Sequence, residues 1–223
     1  MKSLLLSFIA LAIACSSSAQ IQWGIKGGMN ISNMRLVPKP ANSIFDSEYH
    51  LKFGLTAGAL LNVPLTKNLS LQPELLYSME GSKVSATYEK GTLRLNFIQL
   101  PVLLQYKIGS RFFAALGPQV AFLAAAKAKR NSSMYITETP NDPVLQPGHI
   151  SDIKSYYNSF ALSGAIGVGY HINKNFVADL RFTHGLTKLT KEDGMDNNGN
   201  SFNYRSYSFQ LGITYLFSNQ TKK

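Results

Sequence analysis

The chain has 223 residues, 45% of them hydrophobic and 15% charged, with a formal net charge of +10. That length suits one ordinary domain, and no shift in composition divides it. The basic residues are scattered, without a run of five or six and without a recognition-helix pattern, so nucleic acid is not expected as a partner and a basic surface facing anionic lipid or glycan is the simpler reading.

The first residues, Met1-Lys2-Ser3, the apolar run from Leu4 to Ala14 and the small residues of Cys15-Ser-Ser-Ser-Ala-Gln20, have the charged tip, short hydrophobic stretch and cleavage-like end of a secretory signal peptide. The expected signal covers 1–19, with cleavage after Ala19 and export by the general secretory route. The apolar run is too short to span a hydrocarbon core of ~30 Å as a helix. Cys15 offers a rival reading as a lipoprotein attachment site, to which Ala12 is a poor match. Cleaved after Ala19, the chain has no cysteine, hence no disulfide, thiol nucleophile or thiolate metal site.

From Gln22 to Ser32, Trp23, Ile25, Gly27, Met29 and Ile31 alternate with Gln22, Gly24, Lys26, Gly28 and Asn30, which is the period of a strand. A long loop over 33–50 follows, carrying Pro38 and Pro40. Leu51 to Val63 and Leu69 to Glu80 alternate again around the short turn 64–68, and form a hairpin. After a polar connection over 81–93, the stretch from Arg94 to Ile108 keeps Ile98, Leu100, Val102, Leu104 and Tyr106 on one face, while Phe97 and Leu103 blur the other. Pro101 is expected to mark a bulge. The turn 109–111 leads to a strand from Phe112 to about Ala126, then to the longest irregular stretch, 130–157, with Pro140, Pro143 and Pro147. Asn158 to Ile172 and Phe176 to Leu186 are two more strands around the turn 173–175. After a polar loop over 187–204 the chain closes on Arg205 to Phe217, whose odd positions Tyr207, Phe209, Leu211, Ile213, Tyr215 and Phe217 are all large and apolar.

Eight strands result, joined by connections that alternate long and short without exception. Outer-membrane barrels separate their loops in this way, with short periplasmic turns and longer external loops, whereas a soluble sandwich has no reason to. The expected fold is therefore all-β: an eight-stranded antiparallel up-and-down transmembrane β-barrel. It occupies 20–217, with a short tail over 218–223, in the outer membrane of a Gram-negative type envelope. Its surroundings would be outer-membrane lipid and lipopolysaccharide, and its insertion would need the barrel assembly machinery.

Four stretches carry a family likeness: Trp23-Gly-Ile-Lys-Gly-Gly-Met-Asn30, Gln72-Pro-Glu-Leu-Leu-Tyr77, Leu100-Pro-Val-Leu-Leu-Gln-Tyr106 and Leu211-Gly-Ile-Thr-Tyr-Leu-Phe217. In this order they resemble the PorT-like outer-membrane beta-barrel family over essentially the whole mature chain. The resemblance implies fold and location, and a link to secretion or gliding machinery.

An eight-stranded barrel is just wide enough for side chains to fill, so inward charges must pair. The expected lumen network sets Lys26, Lys52, Arg94 and Arg181 against Glu74, Glu80 and Asp179. A structural or interaction role through the external loops follows, with Tyr135, Tyr156 and Tyr157 as a candidate recognition surface for a protein partner. The alternative is an outer-membrane enzyme modifying lipid or lipopolysaccharide, which would recruit Ser163, His171, His184 or Asp179. No nucleophile motif supports it, and the two histidines fall near opposite ends of neighbouring strands. Asp196, Asn198 and Asn200 begin a calcium-loop spacing that fails at Ser201 and Tyr207, so no metal or cofactor is expected.

Overall fold

The computed structural model describes residues 21–37, 48–85, 90–130, 150–191, 194–195 and 201–217. Eight long strands run in chain order: β1 (Gln22–Val37), β2 (Lys52–Pro64), β3 (Leu69–Ser85), β4 (Lys90–Ile108), β5 (Phe112–Arg130), β6 (Phe160–His171), β7 (Phe176–Gly185) and β8 (Ser201–Leu216). Each pairs antiparallel with the next, and β8 returns to β1 in continuous register from Gly24 opposite Leu216 to Val37 opposite Asn203. The sheet closes on itself and keeps no open edge, as a sheet surrounded by lipid must.

Alternation fixes which way each side chain points. Phe53, Leu55, Leu75, Tyr77, Ile98, Leu100, Phe112, Leu116, Ile166, Val168, Leu180, Phe209 and Leu211 stand exposed on the outside. Their inward neighbours, including Thr56, Gln72, Gln99, Ser163, Arg181 and Gln210, are buried. An apolar exterior around a largely polar interior is the inverse of a soluble protein and suits lipid. Aromatic rings gather at the end where the chain enters and leaves the barrel. Trp23 stacks on Phe217 with centroids 3.8 Å apart across the closing seam, and Phe112–Tyr170 and Phe176–Tyr215 pack nearby. That end carries the short turns 65–68, 109–111 and 172–175 and is the periplasmic one.

At the external end the strands run further than amphipathicity announces. The stretches 81–85 and 90–93, read as loop, pair as one hairpin from Gly81 opposite Arg94 to Ser85 opposite Lys90. Thus the expected long connection 81–93 shrinks to 86–89. Similarly β1 reaches Val37, β5 reaches Arg130 and β8 begins at Ser201. Here the buried inward face holds Ser82 as well as Leu93 and the outward face carries Lys83, so hydrophobicity does not alternate with the period of two that identifies a strand in sequence. Three short strands complete this end: Glu48–His50 beside β3, Ile150–Asp152 beside β5 and Gly194–Met195 beside β8.

The expected bulge at Pro101 is displaced. Residues Gln99 to Pro101 and Leu104 to Ile108 hold one register against β5, and the shift falls between Asn96 and Phe97. Phe97 and Leu103 blurred the alternation because they point inward and fill the lumen. Two apolar clusters do this. The external one comprises Met34, Leu93, Leu95, Phe97, Leu123 and Leu189 with smaller neighbours; the periplasmic one includes Leu60, Leu103, Phe113, Val177 and Leu216.

Candidate functional site

The polar interior is organised around Glu74. Its side chain is fully buried, and the Arg181 guanidinium donates to both its oxygens, Nη1 to Oε2 at 2.8 Å and Nη2 to Oε1 at 2.7 Å. This fork geometry is the strongest arrangement open to an arginine and a carboxylate. Gln72 Nε2 adds a third donor to Oε1 at 2.6 Å. Lys26 Nζ lies 3.8 Å from the same oxygen and 2.7 Å from each oxygen of Asp179. Two cations and two carboxylates thus form one neutral, mutually saturated cluster on strands β1, β3 and β7. Gly212 makes room for it: a Cβ there would fall 2.6 Å from Lys26 Cε and 2.9 Å from Asp179 Oδ1.

A second polar group lies toward the external end. Glu80 accepts from Gln99 Nε2 at 2.7 Å and from Ser78 Oγ at 3.1 Å, and Lys52 Nζ donates to the Glu80 backbone carbonyl at 3.1 Å. Amides continue the network toward the periplasm, where Gln105 Nε2 donates to Gln72 Oε1 at 2.9 Å and Asn62 Nδ2 to Gln105 Oε1 at 3.1 Å. Charge counting could not anticipate these amides and hydroxyls. Their inward parity between apolar neighbours was the available signal.

Arg94, expected in the lumen, is on the outside. It shares the parity of Ile98 and Leu100, is exposed, and stands opposite Lys127 of β5. The other six residues of the expected network, Lys26, Lys52, Glu74, Glu80, Asp179 and Arg181, point inward. Beside Asp179 and Arg181 remains a space of about 20 Å³, room for roughly one water. At the periplasmic mouth it widens to a vestibule of about 320 Å³, lined by Gln22, Asn62, Lys67, Gln105, Lys107 and His171 among others.

The residues of the enzyme alternative are not brought together. Ser163 is buried in the lumen, whereas His184 is exposed on the outer face beside Phe182. His171 ends β6 at the periplasmic mouth, so wall and distance separate the three. Among the described residues no group of three His, Cys, Asp or Glu is placed to hold a metal ion. Asp196, Asn198 and Asn200 lie outside the described residues.

Of the three tyrosines of the candidate recognition surface, Tyr135 lies outside the described residues and Tyr156 is 69% exposed. Tyr157 is different. It packs with Ile153 and Tyr204 against the external apolar cluster, and burial with Tyr204 beside it pushes its phenol up to about 12. It is an anchor for the connection rather than a free surface. The anchoring is continued by Ile150–Asp152, paired with Lys127 to Lys129, and by Asn158 Nδ2 donating to the Lys188 and Thr190 carbonyls.

A family model described as outer membrane protein beta-barrel domain matches residues 15–191. Among solved structures, Neisserial surface protein A is similar at 14% identity and a TM-score of 0.49, over 87% of this chain and 97% of that one. Ail, the attachment invasion locus protein of Yersinia pestis, is similar at 14% identity and a TM-score of 0.44, over 88% and 98%. OprG from Pseudomonas aeruginosa follows at 12% and 0.42, over 89% and 97%. No curated protein matches the chain.

Proposed function

The chain belongs to the outer membrane protein beta-barrel domain family and is an integral protein of the Gram-negative outer membrane, and from that premise we propose that it works as an interaction protein, recognising a protein partner through its external connections. The observation that carries this reading is the closed interior. The Glu74–Arg181–Lys26–Asp179 cluster is saturated and bracketed by two apolar clusters, and among the described residues the space beside it in the middle of the barrel has room for roughly one water. A barrel filled in this way presents its outer surface and its connections, besides the periplasmic vestibule, and loops held by a rigid scaffold are where binding energy concentrates.

The 130–157 connection is the chosen element. Its final part is docked on β5 and on the external cluster through Ile150–Asp152 and Tyr157, so Tyr156 is presented outward from a fixed base. Within the family, the four motifs from Trp23, Gln72, Leu100 and Leu211 favour a PorT-like kinship, and with it service as an accessory to a secretion or gliding complex. Lipid modification is the weaker alternative, because Ser163 and His184 face opposite sides of the wall.

The test is crosslinking in intact cells. A photoreactive residue at Tyr156 should yield a discrete adduct with a partner. The same label in a chain whose residues 131–149 are replaced by a short Gly/Asn turn should lose it, while the unheated protein still migrates as a folded barrel. Replacement stops at 149 because residues 150–157 are part of the barrel's packing. A shortened, folded protein that keeps the adduct would refute recognition by residues 131–149, and a full chain that gives no adduct at Tyr156 would refute recognition by the docked part of the connection.

A further inference from the structure

The external ends of β3, β4 and β5 carry a feature that the closed lumen does not explain. On their outward face Arg94 of β4 stands directly opposite Lys127 of β5. Two residues further out, Lys83 of β3 and Lys129 of β5 flank Thr92 of β4 in one cross-strand row. Lys83, Arg94 and Lys127 are exposed and Lys129 is half-buried. Like charges directly opposite on neighbouring strands destabilise a sheet. Here the two rows are stacked, and none of the four cations makes an ion pair among the described residues. The acid in register with them is Asp152, opposite Lys127. With a single acid in register among the described residues, the patch is suited to hold anions.

Height on the barrel identifies their source. Just below Arg94 and Lys127 comes the half-buried pair Asn96 and Ala125, and below that the exposed apolar band begins with Ile98, Leu100 and Phe122. The cations therefore sit where acyl chains give way to headgroups, on the leaflet facing away from the short turns. Strand geometry gives the patch a width of about 10 Å, two interstrand spacings, and a height of about 7 Å, two residues. A headgroup with one phosphate could lie between Arg94 and Lys127 and would leave Lys83 and Lys129, on either side of Thr92, without an anion. A phosphorylated disaccharide can reach both rows.

We propose that the outer face formed by Lys83, Arg94, Lys127 and Lys129 is a binding site for the phosphorylated sugar headgroup of an outer-leaflet glycolipid of the lipid A kind. Its acyl chains lie along Ile98, Leu100 and Phe122. The site rests on the barrel's place in the outer membrane and is independent of any partner at the 130–157 connection.

The experiment uses the full chain folded in micelles and native mass spectrometry with three probes: bisphosphorylated lipid A, the same lipid A with its phosphates removed, and phosphatidylglycerol. Two variants are compared. One combines Lys83→Gln, Arg94→Gln, Lys127→Gln and Lys129→Gln; the other removes four cations at the periplasmic end through Lys67→Gln, Lys107→Gln, Arg111→Gln and Lys174→Gln. Each cation beside an anionic surface contributes about fivefold, so the external variant is expected to hold bisphosphorylated lipid A at least about tenfold less well. The periplasmic variant should bind as the parent does, and the dephosphorylated lipid should bind no better than the external variant does. Equal loss in both variants would overturn the proposal, as would equal retention of phosphatidylglycerol or an undiminished affinity for lipid A without phosphate. Unheated gel mobility checks that each variant is folded; should the external variant not fold, Arg94→Gln with Lys127→Gln decides the matter by the same comparison. The adduct at Tyr156 is unchanged in the external variant, so the fate of the partner reading and that of this site remain separable.

Discussion

Replacing Glu74 by Gln changes one atom and strands two cations. In the parent, Arg181 donates twice to the Glu74 carboxylate at 2.7 and 2.8 Å, and Lys26 lies 3.8 Å from it, with both partner side chains almost fully buried. The glutamine keeps the shape and one acceptor oxygen, but its amide would point a donor at an arginine donor. Asp179 is then the one carboxylate left in the cluster for Lys26 and Arg181 together. Removing one partner of a buried pair costs about 3–5 kcal/mol, whereas replacing both by apolar groups of similar volume is often neutral or better. The assay is reversible urea unfolding in lipid vesicles, followed by tryptophan emission from Trp23 and by gel mobility, on a double-mutant cycle of Glu74→Gln, Arg181→Met and the combined chain. We expect each single change to cost about 3–5 kcal/mol and the pair to recover at least about 2 kcal/mol of the summed loss. Single variants within about 1 kcal/mol of the parent, or losses that simply add, would show that the cluster is solvated and would refute the saturated-lumen argument.

Two further outcomes are expected. Gly212→Ala places a Cβ against Lys26 Cε and Asp179 Oδ1 and should cost about 1–3 kcal/mol by overpacking, while Gly27→Ala, with nothing within 4 Å of the new atom, should stay within about 0.5 kcal/mol; urea midpoints of the two variants check this. Tyr157, raised to about 12, stays neutral in the folded protein after the unfolded chain has ionised. Its contribution to stability is therefore present below pH 10 and lost as pH rises from about 10 to 12, a decline that Tyr157→Phe should abolish in alkaline unfolding curves.

The membrane-spanning part of each strand was legible because lipid and lumen are two different solvents, and a pleated strand records both. Leu51 to Val63 shows it plainly: Phe53, Leu55, Ala57, Ala59 and Leu61 face outward, and Lys52, Thr56 and Leu60 face the interior. Beyond the bilayer the record stops. Residues 81–85 and 90–93 form a regular hairpin without a pattern that says so. Arg94 has the polarity of a lumen residue but the parity of Ile98 and Leu100, and parity decides its side. Tyr157 could not be told from Tyr156 in sequence, since packing under a returning connection is a tertiary event with no local signature. The lumen charges could be read because buried charges need partners. The register shift at Asn96 and Phe97 could not, being settled by the fit of Phe97 and Leu123 inside the external cluster.

A remaining question is why the interior uses ions at all, when apolar pairs would do as well for stability. A strand apolar on both faces loses the period that fixes its register, and a slip of one residue would exchange its faces at little cost. With Lys26, Glu74 and Arg181 inside, the same slip turns a charge toward lipid, at about 2–4 kcal/mol for each Lys or Arg near the bilayer centre. The cluster is on this view a register device spread over β1, β3 and β7, and the prediction that follows separates register from stability. A chain carrying Lys26→Met, Glu74→Leu, Asp179→Leu and Arg181→Met should unfold at a urea concentration close to that of the parent. It should refold into vesicles more slowly and give more than one unheated band, reflecting barrels closed in different registers. Hydrogen exchange along β1 and β8, whose seam pairs Gly24 with Leu216 in the parent, would resolve those species. One sharp band that forms at the parent's rate would mean that the turns and glycines suffice to set the register, and the lumen charges would then need another explanation.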